Sequence, residues 1–274
     1  MTKIGIMQGR LVPPEPGHFQ AFPRDRWADE FGLAAQVPLS YIEWIYDLYG
    51  AEVNPLTHGI GTLQSVAAAS GVAIRSMCAD YFMDRPFLRC TDSECQERVD
   101  LLQMLLRLAK QVGIQRIVLP FVDASKIETQ EDHQIVIRVL DAVLPAARET
   151  GIELHLETAL APADFARLLD RIPSPLVRVN YDSGNSSSLG YVPAEEFAAY
   201  GERIGSVHIK DRVRGGGTVP LGTGDADLPA VFAGMERIGY QGDITLQVAR
   251  SEPGQEVAWA RSNRDFVARY WPVE

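Results

Sequence analysis

Four short stretches of the chain alternate apolar with polar residues, and each carries near its C-terminal end a side chain suited to metal binding or proton transfer. In 152–157, Ile152, Leu154 and Leu156 alternate with Glu153, His155 and Glu157. In 177–182, Val177, Val179 and Tyr181 alternate with Arg178, Asn180 and Asp182. In 206–210, Val207 and Ile209 alternate with Ser206, His208 and Lys210. In 244–248, Ile244, Leu246 and Val248 alternate with Thr245 and Gln247. Successive side chains on a strand point to opposite faces, so each stretch reads as a strand with one polar face. Two carboxylates, an imidazole and an amide oxygen (Glu157, Asp182, His208 and Gln247) make an oxygen-rich ligand set with one nitrogen. Such a set suits Mg²⁺ or Mn²⁺, with Zn²⁺, Co²⁺ and Fe²⁺ as alternatives. The competing reading is a buried network of hydrogen bonds and ion pairs that only holds the strands together.

The elements that would position these groups alternate along the whole chain. Strands are expected near 3–8, 40–45, 72–78, 115–119, 152–157, 176–182, 205–209 and 243–248. Helices are expected over 26–36, 57–70, 92–112, 131–150, 163–171, 194–201, 227–238 and 255–271. Gly71, Gly113, Gly151 and Gly239 close helices, where a left-handed backbone is needed. Asp92 and the Pro162-Ala163-Asp164 segment look like helix starts. Eight βα units in order predict a parallel sheet closed into a single (β/α)₈ TIM barrel, one domain over 1–274. An open doubly wound sheet is the rival, weakened because no GxGxxG follows the first strand. In a barrel the apolar sets pack outward on helices and the polar sets point inward. Barrel active sites lie at the C-terminal ends of the strands, where Glu157, Asp182, His208 and Gln247 fall.

A hydrophobic fraction of 46% with 23% charged residues fits a globular protein with a substantial core. No apolar run reaches the ~18 residues of a membrane helix, and the opening Met1-Thr2-Lys3-Ile4-Gly5-Ile6 reads as a strand rather than a secretory signal. Cys78, Cys90 and Cys95 have no CxxC spacing, which points away from a disulfide framework and toward a cytoplasmic protein. The formal net charge of −10 argues against nucleic acid as a partner.

Several motifs stand in a telling order: Ile152-Glu153-Leu154-His155-Leu156-Glu157, Asn180-Tyr181-Asp182-Ser183-Gly184-Asn185, Val207-His208-Ile209-Lys210-Asp211 and Gly222-Thr223-Gly224-Asp225-Ala226-Asp227. The opening Ile4-Gly5-Ile6-Met7-Gln8-Gly9-Arg10-Leu11 and Tyr41-Ile42-Glu43-Trp44 precede them. Together they resemble the xylose-isomerase-like barrel superfamily, in particular its sugar-phosphate isomerase/epimerase branch, over essentially the whole chain. The resemblance implies a divalent metal held by Glu157, Asp182, His208 and, where the family has a glutamate, Gln247. It also implies proton transfer beside a carbonyl through an enediolate, with a sugar or sugar phosphate as substrate. In related 3-epimerases two glutamates exchange protons with opposite faces of the substrate. An amide cannot act as a base near neutral pH, so Gln247 puts simple two-glutamate epimerisation in doubt. Three courses stay open: Glu157 shuttles the proton alone, giving isomerisation; Asp211, Asp80 or a water supplies the second proton; or the chemistry has diverged.

Lys210 faces inward and either polarises a carbonyl oxygen or neutralises Glu157, or pairs with Glu153 or Asp182. Asp211 either orients a ligand and acts as an acid–base group, or caps a turn. Glu43 either contacts substrate or a water on the metal, or holds an Arg or His from behind. His155 reads as a satisfied interior histidine. Asn185, within the Asp182 motif, joins Arg10, Glu43, Arg212 and Arg250 as a candidate substrate contact. Arg212-Val213-Arg214-Gly215-Gly216-Gly217, with Arg10 and Arg250 on the same rim, fits a phosphate nest, against a mobile lid with solvated arginines. The loop 9–25 either closes over the site or forms a subunit contact, as in a homodimer or tetramer. An apurinic-site endonuclease on this scaffold would need a multi-zinc cluster. Of the five histidines (His18, His58, His133, His155 and His208), only His155 and His208 fall on inward strand positions. The remaining rival is a non-catalytic or diverged sugar-binding barrel.

Overall fold

Eight parallel strands close on themselves in the computed structural model, which describes residues 2–272. They are β1 (Ile4–Met7), β2 (Tyr41–Ile45), β3 (Ala73–Cys78), β4 (Arg116–Phe121), β5 (Glu153–Thr158), β6 (Val177–Asp182) and β7 (Ile204–Ile209). A two-stranded antiparallel ribbon, β8 (Asp211–Arg212) and β9 (Thr218–Val219), then interrupts the alternation. The last barrel strand is β10 (Ile244–Leu246), which pairs with β7 on one side and β1 on the other, leaving no edge. The expected (β/α)₈ barrel is therefore the observed fold. Met1, Val273 and Glu274, part of the expected 1–274 domain, lie outside the described residues.

The outward residues of the strands are apolar and fully covered: Leu154, Leu156, Val177, Val207 and Leu246 each expose 0% of their surface. Burying such a side chain stabilises the fold by roughly 1.5–3 kcal/mol, so this shell is the main core. The inward face is polar, as the alternation predicts: Glu43, Ser76, His155, Ser206, His208 and Thr245 are all 0% exposed. Two register shifts set that face. Val179 pairs with Ile204 but Asn180 pairs with Ser206, so Gly205 is an extra residue in β7. A Cβ on Gly205 would lie 2.5 Å from the His155 ring, so only glycine lets the interior histidine and the bulge coexist. A second shift after Ile42 sets Glu43 opposite Ser76.

The helices differ from expectation in instructive places. The stretch 57–70 is two helices, Pro55–His58 and Ile60–Ser70, with Asn54 capping the first through Leu56 N. The helix expected to start at Asp92 does so, as Asp92–Val112, with Thr91 before it as the cap in a capping box with Glu94. Two short helices, Tyr81–Asp84 and Ser183–Leu189, were not expected. The Gly-rich segment after β7, expected as a phosphate nest or a mobile lid, forms the tip of the β8–β9 ribbon. There Gly215 N donates to Ser188 O and Gly216 N to Val213 O, so those amides are already used.

Candidate metal centre

At the C-terminal mouth of the barrel, Glu157, Asp182 and His208 each offer one ligand atom, and these atoms lie within 4.8 Å of one another. Each comes from near the end of its own strand, where the inward phase of β5, β6 and β7 turns it toward the axis. His208 Nδ1 faces Glu157 Oε2 at 3.4 Å and Asp182 Oδ2 at 3.9 Å. It is buried and, among the described residues, has no hydrogen-bond partner. On its other side, Nε2 forms an ion pair with Glu43 Oε1 at 2.6 Å, and the Ser76 hydroxyl donates to Glu43 Oε2. A proton held on Nε2 against a carboxylate leaves the Nδ1 lone pair for a cation, the arrangement found behind metal-bound histidines. Burial opposes a charge on His208, but Glu43 and Glu157 outweigh it and raise the imidazole to about 10. A cation entering the site therefore displaces a proton from Nδ1. The orphaned nitrogen and its two facing carboxylate oxygens fit a divalent ion.

The other ligand oxygens are oriented from behind. Asn180 Nδ2 donates to Glu157 Oε2 at 2.8 Å and Asn185 Nδ2 to Glu157 Oε1 at 2.6 Å. Asp182 Oδ1 accepts from Gly184 N and Asn185 N, both at 2.8 Å, capping the Ser183–Leu189 helix and leaving Oδ2 toward His208. Lys210 Nζ reaches Asp182 Oδ2 at 3.3 Å, Asn185 Oδ1 at 3.3 Å and Gln247 Oε1 at 3.0 Å. A Cβ on Gly184 would lie 2.6 Å from the Lys210 stem, so the glycine makes room for this ammonium. The amide oxygen of Gln247, expected as the fourth ligand, accepts from Lys210, as Asp182 Oδ2 does.

A cavity of about 340 Å³ opens over these groups, bounded by Glu157, Asn185, Lys210, Arg212 and Gln247 on one part of its wall and by Phe19, Gln20, Cys78 and Asp80 on another. That volume lies in the range of small-ligand sites. Several expected contacts fall elsewhere. Asp211 is 0% exposed and off the cavity wall. Its carboxylate accepts from Gly222 N, Gly224 N and Ala226 N at 2.8, 2.9 and 3.0 Å, so it tethers a loop away from the cavity. Arg250 is turned to the carbonyls of Gly9, Val12 and Phe19, where it fastens the long loop 9–25. Arg10 donates to Val248 O and to Gln20 Oε1, so it acts behind the wall. Glu43 lies behind His208, whereas Asn185 both bonds Glu157 and lines the cavity. Of the four rim arginines, all among the described residues, Arg212 alone lines the cavity, with Nη1 on Asn185 Oδ1 at 2.8 Å. His155 bonds Ser206 Oγ at 2.6 Å and Glu153 Oε2 at 2.8 Å and is a structural residue.

Gln20 is the residue that sequence reasoning missed. It touches Arg10, Asp80 and Gln247 from a loop remote in sequence. Nothing in the pattern of a Pro-rich loop marks which side chain turns inward. Asn180, by contrast, stood on the inward face in the alternation.

The model of the family described as xylose isomerase-like TIM barrel matches residues 31–270. SgbU of Escherichia coli K12, provisionally named an L-ribulose-5-phosphate 3-epimerase, is 26% identical over 260 residues, covering 86% of this chain and 89% of that protein. The L-ribulose-5-phosphate 3-epimerase UlaE of Salmonella paratyphi C is 24% identical over 251 residues, covering 86% and 87%. Among solved structures, the IolI protein with a bound zinc atom superposes with a TM-score of 0.80 at 16% identity, covering 99% of this chain and 100% of that one. An L-ribulose 3-epimerase superposes at 0.77 with 17% identity, covering 98% and 94%. These two superpositions bear on the fold. By the span and order of the match, the chain belongs to the xylose isomerase-like TIM barrel family.

Proposed function

We propose that the protein is a divalent-metal-dependent isomerase or epimerase acting on a ketose or ketose phosphate by proton transfer next to the carbonyl. The observation that carries this reading is the buried, unpartnered His208 Nδ1 facing Glu157 Oε2 and Asp182 Oδ2 beneath a cavity of sugar size. The relatives named as ribulose-phosphate epimerases support it. A divalent ion held by Glu157, Asp182 and His208 would polarise the substrate carbonyl and stabilise the negative charge that builds on its oxygen.

The remaining steps belong to the chain. Glu157, its oxygens fixed by Asn180 and Asn185, takes the proton from the carbon beside the carbonyl. The C–H electron pair becomes the C=C bond of an enediolate, and the carbonyl π pair moves onto oxygen. Lys210, held by Asp182, Asn185 and Gln247, aims a cationic donor at that developing charge. The wall offers one arginine, Arg212, to a phosphate or terminal hydroxyl, so the same proton chemistry serves either substrate form.

The test is a panel of ketoses and ketose phosphates incubated in D₂O with Mn²⁺ or Mg²⁺ and read by NMR. Solvent deuterium is expected at the carbon next to the carbonyl, with Glu157→Gln slowing its appearance by roughly 100-fold or more. Chelation should abolish exchange and added metal restore it. A protein purified without chelator that binds no divalent ion, or an exchange rate indifferent to Glu157→Gln, would sink the reading.

A further inference from the structure

Gln247 cannot take up a proton, so a site that changes configuration at carbon needs a second acid–base group elsewhere on the cavity wall. Besides Glu157 the wall carries two carboxylates, the exposed Asp123 and the buried Asp80, and the buried one fits. Asp80 follows β3, is 6% exposed, and lines the same cavity as Glu157 from a different strand end. Its surroundings form an oriented chain. Arg10 Nη2 donates to Gln20 Oε1 at 2.9 Å, and Gln247 Nε2 donates to the same oxygen at 3.2 Å. A guanidinium has only donors, so the Gln20 amide is fixed with Nε2 turned to Asp80 Oδ2, at 2.7 Å. The same logic fixes Gln247, whose oxygen is left for Lys210. A glutamate at 247 would set a carboxylate oxygen against the Gln20 oxygen, two acceptors in contact. The amide at 247 is thus part of the array that holds Asp80, and the other Asp80 oxygen accepts from the Cys78 thiol, a weak donor, at 3.0 Å.

We propose that Asp80 is the second acid–base group of this site, working on the side of the substrate carbon that Glu157 does not reach, so that the reaction is an epimerisation. This rests on the metal-assisted ketose chemistry proposed above. Glu157 removes the proton and the enediolate forms. Protonated Asp80 then delivers its proton to the opposite face, the C=C pair forms the new C–H bond, and the carbonyl re-forms. One turnover leaves Glu157 protonated and Asp80 ionised; the reverse reaction exchanges their roles, and exchange with solvent resets them. Burial, opposed by the hydrogen bonds from Cys78 and Gln20 and reinforced by Asp47 and Glu157, raises Asp80 to about 6, within reach of both protonation states near neutral pH.

The experiment compares wild type with Asp80→Asn on the same ketose panel in D₂O with Mn²⁺. Asp80→Asn should lower formation of the epimer at least about 100-fold while deuterium entry into the recovered starting sugar stays within about threefold. Retained exchange also reports a folded, metal-loaded site. Undiminished epimer formation overturns the assignment. So does loss of both signals, which would make Asp80 a support for Glu157, and so does exchange without any epimer in wild type. Absence of Glu157-dependent exchange in wild type with every ketose overturns the metal-assisted reading itself, and the Asp80 assignment with it.

Discussion

At the residue scale the centre is organised by what stands behind each ligand. His208 is held by Glu43, which Ser76 holds in turn, and both supports are 0% exposed. Burial works against an ionised Glu43, yet His208, Ser76 and Arg116 together keep its carboxyl below the usual glutamate range. A charged Glu43 raises the basicity of the imidazole and fixes its ring, and removing such a support lowers metal affinity by roughly 10–100-fold. Glu43→Gln should therefore weaken Mn²⁺ binding by that factor in calorimetric titration, with the fold unchanged by circular dichroism. Affinity equal to wild type would mean that Glu43 serves the substrate instead. Glu157, Asp182 and His208 were legible in the sequence because a period of two puts one polar residue on the inner face at each strand end. Gln20 was not, because only the packing of loop 9–25 decides which of its side chains reaches the mouth.

At the element scale one residue joins fold and site. Asp182 ends β6 and caps the Ser183–Leu189 helix with Oδ1, while Oδ2 faces His208 and Lys210. That helix escaped sequence reading because serine and glycine disfavour helix interiors; the cap and the fit of Gly184 on Lys210 support it locally. Asn caps about as well as Asp, whereas losing the cap costs roughly 1 kcal/mol. Asp182→Asn and Asp182→Ala both remove the charge, so their difference isolates the cap. The alanine variant should be less stable than the asparagine variant by about 1 kcal/mol in urea unfolding of metal-free protein. Both should bind metal far more weakly than wild type. Equal stabilities would show that the helix holds without its cap. The split at Gly59 and the β8–β9 ribbon were illegible for a related reason: each depends on local backbone bonding, not on which face is apolar.

At the scale of the whole molecule, the polar interior makes stability a function of pH. His155 sits a layer below the candidate metal ligands, between Glu153 and Ser206, under the bulge at Gly205. Burial, with Arg116 and Arg178 nearby and despite Glu153, lowers its pKa from 6.5 to about 4. A histidine kept neutral in the fold binds its proton more readily when unfolded. Its contribution is therefore complete above about pH 6.5 and is lost as the pH falls through 4, a change of about 3 kcal/mol by linkage. Glu30, raised to about 7 by burial, and Asp80, raised to about 6, act in the opposite sense. Both bind more protons folded than unfolded and so favour the fold on acidification over an overlapping range. The bare pH profile of the wild type therefore mixes the two slopes, and the informative quantity is the gap to a variant. His155→Gln should be destabilised at pH 7 through lost packing, and its deficit relative to wild type should shrink as the pH is lowered from 6.5 toward 4. Urea unfolding at several pH values measures that gap. A gap constant across the range would mean that His155 carries its proton inside the barrel, with the Glu153 ion pair holding it there.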